Sequence, residues 1–422
     1  MKICFEENKL SQENWASCTF ENGLRVVFER SASEVVYCGY VIKAGTRNEE
    51  PADSGMAHFI EHMSFKGTER RRSFHINNGL ERVGGDLNAF TNKQETVYYA
   101  TVLKQDYPRA VDILTDLVFH SVYPQGEIDK EVEVIAEEIE SYLDSPAELI
   151  FDDFEAMVFN GSALGRDILG RAERLREYKT EDARRFVDRW YRPENAVFYV
   201  YGNLEWKKVI REIEKCLKTS ISRPEMPVKD SSLLTAEPSA PSVKIIEKGT
   251  HQAHVVVGAP TFGGNDPRRF ALALLNNIMG GPGMNSRLNM ALREHAGLVY
   301  SIDSYLTTYV DTGWWCVYFG CDLEDIDRCL RMVKRELLRM IERPMTETQL
   351  TAAKKQMIGQ FSIADNNSES YAHALGKCFA QYGSHRSTSE IVKHIQQVTI
   401  EEIQNLAAEI YAEDKLHTLI YR

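Results

Sequence analysis

Residues 55–67 read Gly55-Met56-Ala57-His58-Phe59-Ile60-Glu61-His62-Met63-Ser64-Phe65-Lys66-Gly67. On an α-helix, positions i and i+4 lie about 40° apart around the axis, and i+3 lies about 60° to the other side. His58 and His62 can therefore hold one ion, with Glu61 projecting beside it. Neutral imidazoles suit zinc, and catalytic zinc usually has three protein ligands and one open position. A carboxylate outside the ligand set can then take a proton from an attacking water. An amphipathic helix with two incidental histidines would carry the same string, so a third ligand has to be found elsewhere.

The segment 127–143 offers one. Its apolar stripe is Ile128, Val132, Ile135, Ile139 and Leu143. Glu131 and Glu138 are two turns apart and share a face that borders this stripe. Glu133, Glu137 and Glu140 lie further round, toward solvent. A glutamate beside a buried seam needs a cation or hydrogen bonds, and a metal ion would serve. A merely acidic helix would look similar.

Further out, each half of the chain follows one plan. Strand-like runs at 24–28 and 35–42 precede the helix at about 54–65. A strand pair at 86–91 and 96–103 follows, then a helix with Ala110, Ile113, Leu114, Leu117 and Val118 on one face. The second half repeats this with runs at 243–246 and 254–257, a helix near 270–278, and a strand pair at 299–306 and 313–319. Its next helix carries Leu323, Ile326, Leu330, Val333, Leu337 and Ile341. Helices at 127–143 and 346–361 complete the two cores, and Thr346 and Gln349 have capping-box spacing. The Pro/Ser-rich stretch 222–242 reads as the linker. The expected fold is α+β: domains 1–221 and 243–422, each an antiparallel sheet covered by helices on one face.

The 422-residue length fits two or three domains at roughly 150 residues each. Net charge is −12 with no basic block, which argues against nucleic acid as a partner. No apolar run approaches the ~20 residues of a membrane span, and residues 1–15 show no secretory signal core. The eight cysteines form no Cys-x-x-Cys pair and read as reduced core thiols of a cytoplasmic protein. The run Gly280-Gly281-Pro282-Gly283 lacks the Lys-Ser/Thr ending of a phosphate loop and reads as a turn.

His58-x-x-Glu61-His62, followed 76 residues after His62 by Glu138 in Val-Ile-Ala-Glu-Glu-Ile-Glu-Ser-Tyr, resembles the pitrilysin-type (M16) metallopeptidases. These include the pitrilysins, insulin-degrading enzymes and mitochondrial processing peptidases. The resemblance covers nearly the whole chain. It includes Asn22-Gly-Leu-Arg-Val-Val, Ala44-Gly-Thr-Arg, Gly84-Gly-Asp-Leu-Asn88-Ala89-Phe90-Thr91, Glu95-Thr-Val-Tyr-Tyr99 and Leu164-Gly-Arg-Asp-Ile-Leu-Gly170. The length matches the half-size subfamily, in which two such chains form one closed chamber.

The resemblance implies the following roles. His58, His62 and Glu138 are the metal ligands for one Zn2+ per chain. Glu138 is preferred to Glu137 because it stands seven residues beyond Glu131, as the family pattern requires. Glu61 is the general base, and Glu131 orients or balances a ligand. Asn88, Ala89 and Phe90 belong to the edge strand that binds substrate. In Arg293-Glu-His-Ala-Gly-Leu-Val-Tyr300, Arg293 and Tyr300 match the family's pair of donors to the substrate carbonyl and its oxyanion. Val299 stands where the family has alanine. The equivalent of the metal helix in the second half offers no ligands. The expected protein is a zinc endopeptidase acting on oligopeptides or unfolded segments, a homodimer with composite sites. Three rivals remain open: a silent structural subunit, a processing peptidase that needs a separate partner, and a peptide-binding chaperone with a structural zinc.

Overall fold

The computed structural model describes residues 14–217 and 238–422. Most of the expected linker lies outside the described residues. The strands are β1 (Trp15–Thr19), β2 (Arg25–Arg30), β3 (Val35–Ile42), β4 (Asp86–Thr91), β5 (Thr96–Leu103), β6 (Ala196–Gly202), β7 (Val243–Ile246), β8 (Ala253–Phe262), β9 (Val299–Thr308), β10 (Thr312–Cys321) and β11 (His417–Tyr421). They form two mixed sheets, ordered β1-β2-β6-β3-β5-β4 and β7-β11-β8-β10-β9. Apart from β1, the orders match strand for strand, so the repeat along the chain is a repeat of topology.

Two expectations need correction. The sheets are not wholly antiparallel, because β6 pairs parallel with β2, and β11 pairs parallel with β7. Each half also ends in a strand that the local pattern left unread, and that strand lies inside its sheet. The helical layer of each half acts as the long crossover that a parallel pair requires.

The compact units depart from a division at 222–242. Among the described residues, one unit comprises 14–139, 166–217 and 365–386, and the other comprises 140–165, 238–364 and 387–422. The halves exchange a helix: Pro146–Val158 lies in the second unit and Ser368–Tyr382 in the first. The strands show why. Val26, Phe28, Cys38, Tyr40, Ile42, Phe198 and Val200 face the main core of the first unit. Their alternates Val27, Val41, Val97, Val197 and Tyr199 pack with Ala372, Leu375, Phe379 and Ala380 of the exchanged helix. In the second unit, Val256, Trp314, Cys316, Leu419 and Tyr421 likewise pack with Leu149, Ile150, Phe154 and Val158. Both sheets are therefore covered on both faces, not on one. Apolar runs without alternation are the signature of strands buried twice.

The exchanged helix Pro146–Val158 is fixed by a buried carboxylate. Trp314 Nε1 donates to Glu155 Oε1 at 2.7 Å, and the Tyr309 hydroxyl donates to the same oxygen. A Glu155→Ala substitution removes the acceptor of two buried hydrogen bonds, each loss costing about 1–3 kcal/mol. We expect the urea midpoint to fall by the equivalent of about 2–4 kcal/mol, with a smaller loss in Glu155→Gln. An unchanged midpoint in Glu155→Ala would show that the carboxylate does not hold the helix.

The capping box at Thr346 is present: Thr346 N–H donates to Gln349 Oε1 at 2.9 Å, and Gln349 N–H to Thr346 Oγ1 at 3.2 Å. No helix among the described residues is long and apolar enough to cross a membrane.

Candidate metal centre

The helix α1 (Met56–Ser64) carries the motif. Met56, Phe59, Ile60 and Met63 point into the first unit's core. Each such burial contributes roughly 1.5–3 kcal/mol, which anchors the helix by one stripe. His58, Glu61 and His62 occupy the adjoining stripe.

The start of α1 is built by residues whose roles the sequence did not reveal. Gly55 takes φ 81°, and a Cβ there would come within 2.6 Å of the Leu169 carbonyl oxygen. Gly170, at φ 75°, packs against it so closely that its own Cβ would lie 2.6 Å from Gly55 Cα. This is the structural use of the 164–170 motif. The buried Glu49 carboxylate accepts the N–H groups of Gly55 at 3.0 Å and Ala57 at 2.9 Å. Burial pushes its carboxyl up to about 8, opposed by those two N–H groups and Arg166. Glu49 thus satisfies two of the four free donors at the helix start. Glu49→Ala should cost about 1–2 kcal/mol, as loss of a cap does, and loosen the helix that holds both histidines. Thermal unfolding together with a zinc titration would check this. Unchanged values in both would remove Glu49 from the account.

The acidic helix Gln125–Leu143 brings Glu131 and Glu138 to the histidines. His58, His62 and Glu138 each offer a ligand atom, and the three atoms lie within 4.8 Å of one another. His58 Nε2 is 3.9 Å from Glu138 Oε1, and His62 Nε2 is 3.6 Å from Glu138 Oε2. Those separations are too long for hydrogen bonds and slightly exceed the edge of a tetrahedral zinc site, about 3.3 Å for ligands about 2.0 Å from the ion. His58 Nδ1 is buried without a hydrogen-bond partner among the described residues. Burial, with help from the charge of His62, lowers the His58 pKa to about 3, so this imidazole is neutral and able to bind a cation. The donor set and its spacing therefore fit a zinc ion. Among the described residues no other group of this kind occurs.

Glu131 is buried and holds His62 from behind. His62 Nδ1 lies 2.9 Å from Glu131 Oε1, and Lys66 Nζ lies 2.5 Å from Oε2. Burial would raise the Glu131 carboxyl, but the bonds from His62 and Lys66 outweigh it and hold the group below its ordinary value. Burial likewise works against a charged His62, while the Glu131 bond and the surrounding carboxylates prevail and raise it. With Nδ1–H donating to Glu131, Nε2 presents its lone pair on the Glu138 side. Glu133, Glu137 and Glu140 are exposed, as expected. Glu138 is itself half-exposed on its side chain.

Glu61 is buried, and the Thr91 hydroxyl donates to its Oε2 at 2.6 Å. Burial raises the Glu61 carboxyl, with the Thr91 bond and His62 opposing. Thr91 ends β4, the edge strand of the first sheet, which carries Asn88, Ala89 and Phe90. That edge thus runs toward Glu61, and its Ala89 N–H donates to Asn88 Oδ1 at 2.8 Å. In the second unit, Arg293 lies on a π-helical turn, Asn289–Glu294, and Tyr300 on β9. The Arg293 guanidinium is 6.0 Å from the Tyr300 ring centre, and Tyr300 is 86% exposed. The sequence did not foretell the π-turn.

Residues 25–172 match the model for insulinase (peptidase family M16), and residues 178–357 match the model for the peptidase M16 inactive domain. An uncharacterized zinc protease of Streptomyces coelicolor is 32% identical over 399 residues, covering 93% of this chain and 86% of that protein. The uncharacterized zinc protease YmxG of Bacillus subtilis is 32% identical over 404 residues, covering 95% of this chain and 97% of its own. The crystal structure of a protease from Helicobacter pylori superposes with a TM-score of 0.88 at 20% identity, covering 96% of this chain and 98% of that one. A peptidase M16 inactive domain from Pseudomonas fluorescens gives 0.87 at 18% identity, covering 97% of each chain. With two curated zinc proteases matched along more than nine-tenths of its sequence, the chain belongs to the M16 family of peptidases.

Proposed function

We propose that this protein is a zinc-dependent endopeptidase acting on oligopeptides or unfolded segments. The observation that carries the reading is one group of three ligand atoms, from His58, His62 and Glu138, with the carboxylate of Glu61 beside it and outside it. A closed structural site would present four protein ligands, whereas three leave a position open. When bound there, zinc would supply Lewis-acid chemistry, acidifying a water and polarising a carbonyl.

The chain's own residues do the rest. Glu61 accepts the proton of the attacking water and returns it to the leaving amine. Glu131 keeps His62 in one orientation. The peptide adds as a strand beside β4 at Asn88, Ala89 and Phe90, bound through its backbone with little regard to sequence. Arg293 and Tyr300 donate to the substrate carbonyl as negative charge develops on its oxygen. The half-size length supports a homodimer enclosing a chamber, with one zinc per chain. Cytoplasmic location is part of the reading, and the seven described cysteines are all free thiols.

A quenched fluorescent peptide of about 10–20 residues, a length suited to strand addition, tests the activity. Cleavage should stop on chelation and return with zinc. Absence of cleavage by the zinc-loaded protein would favour a silent subunit or one that needs a second chain. For the shared site, mixing an Arg293→Ala chain with a Glu61→Gln chain should restore one working site per mixed dimer. No recovery after subunit exchange would count against composite sites.

A further inference from the structure

The second unit contains a cavity of about 460 Å³, remote in sequence from every residue assigned above except the loop before Arg293. It lies between the end of the helix Arg269–Gly280, the loop 285–287, the turn 343–345 and the first turns of the helix Glu347–Ala364. No carboxylate of the described residues lines it, although the chain as a whole carries a net charge of −12. Arg287 and Arg343 both line it. The Arg287 guanidinium stands 3.7 Å from Glu336 and is partly balanced. Arg343 is exposed and forms no ion pair with any described residue.

Ser286 makes the cavity more than a dent. It is 5% exposed and lines the space, yet its hydroxyl has no hydrogen-bond partner among the described residues. Its backbone is fixed on both sides, N–H to the Gly283 carbonyl and carbonyl to the Met290 N–H. A buried hydroxyl left unpaired is destabilising, so a ligand that supplies a partner gains from it. A second part of the lining is also preset. Asn285 and Gln356 exchange two hydrogen bonds, at 3.1 and 3.0 Å. Gln349 uses its carbonyl oxygen in the capping box, which leaves its amide N–H groups for the cavity.

We propose that this cavity binds the C-terminal carboxylate of a peptide. The assignment to a peptide rests on the peptidase reading above; the anion chemistry stands without it. A guanidinium offers two parallel N–H groups that match the two oxygens of a carboxylate. One uncommitted arginine balances a single charge. The Ser286 hydroxyl and the Gln349 amide suit the last peptide group, and a volume of this size accommodates a terminal residue or two. The site would hold a substrate or product by its end, independently of the metal centre.

The test uses the full-length protein with Glu61→Gln, so that binding is read without turnover. A fluorescent tetrapeptide ending in a free carboxylate is titrated beside the same peptide ending in an amide. The free acid should bind at least about tenfold more tightly, the difference of a charge-assisted pair. Arg343→Gln should abolish that difference and leave the amide's affinity and the melting temperature unchanged. Ser286→Ala should weaken the acid severalfold. Equal binding of acid and amide, or an undiminished difference in Arg343→Gln, overturns the proposal. Inorganic phosphate serves as a third arm: competition at concentrations below those of acetate would make this a phosphate site and overturn the carboxylate assignment. If wild-type protein cleaves no peptide while the acid–amide difference stands, the peptidase reading fails for this chain acting alone and the binding site survives.

Discussion

Glu61→Gln should lower peptide cleavage by about 10²–10⁴-fold, the range expected when a general acid–base group is lost, while leaving zinc content unchanged. The argument rests on placement. Glu61 sits on α1 between the two histidines, outside the group of three ligand atoms. Its carboxylate is buried and aimed by the Thr91 hydroxyl at 2.6 Å. Burial raises its proton affinity, which favours a group that must accept a proton near neutral pH. Glutamine keeps the shape and the Thr91 hydrogen bond but cannot take a proton. The variant should therefore fold, bind zinc and bind peptide, with the loss confined to kcat. Thr91→Val offers a graded comparison, because it removes the aiming bond, with a longer contact to the Thr96 hydroxyl, and should cost far less. Cleavage by Glu61→Gln at the wild-type rate would end the proposed role. Loss of zinc from it would mean that Glu61 belongs to the ligand set.

Local chemistry was legible before the structure, and long-range pairing was not. The stretch 55–67 and the acidic helix could be read because helical periodicity places His58, His62 and Glu61 on one stripe, and Glu131 and Glu138 on another. The strands β3 and β7 fell where their β-branched runs put them, and β4 and β5 where the Gly-punctuated strand pair was read. β8 extends past its expected end at Val257 because Gly258 and Pro260 look like breakers. Gly258 is there for close approach, since a Cβ would lie 2.0 Å from the Trp315 carbonyl oxygen. The closing strands β6 and β11 take meaning only from the strands on either side of them, one parallel and one antiparallel, all far away in sequence. The helix exchange is hidden for the same reason: Leu149 and Phe154 show an apolar face but not which sheet receives it. The supports of the site, Glu49, Lys66 and Thr91, are ordinary polar residues in the sequence. Lys66, one turn beyond His62, carried a weak signal in its spacing.

The support behind His62 leads to the second large effect. Glu131→Gln should weaken zinc binding by about 10–100-fold, the usual cost of losing a group that orients a metal-bound histidine. Glutamine can still accept a hydrogen bond from Nδ1, so the ring keeps a partner. It loses the negative charge that strengthens His62 as a donor and balances Lys66, 2.5 Å away. The pH dependence separates this role from a merely structural one. Glu131 raises the His62 pKa, so in the wild type protons compete with zinc for Nε2 from above the ordinary histidine range downward. Without the carboxylate that pKa falls, and proton competition begins at lower pH. The affinity deficit of Glu131→Gln should thus be largest near pH 8 and shrink as the pH drops toward 6. A structural defect predicts the opposite, a deficit that widens in acid as the fold weakens. Zinc titrations at pH 8, 7 and 6, with melting temperatures measured in parallel, distinguish the two. A deficit constant across that range would assign Glu131 to positioning His62 by geometry alone, without the charge.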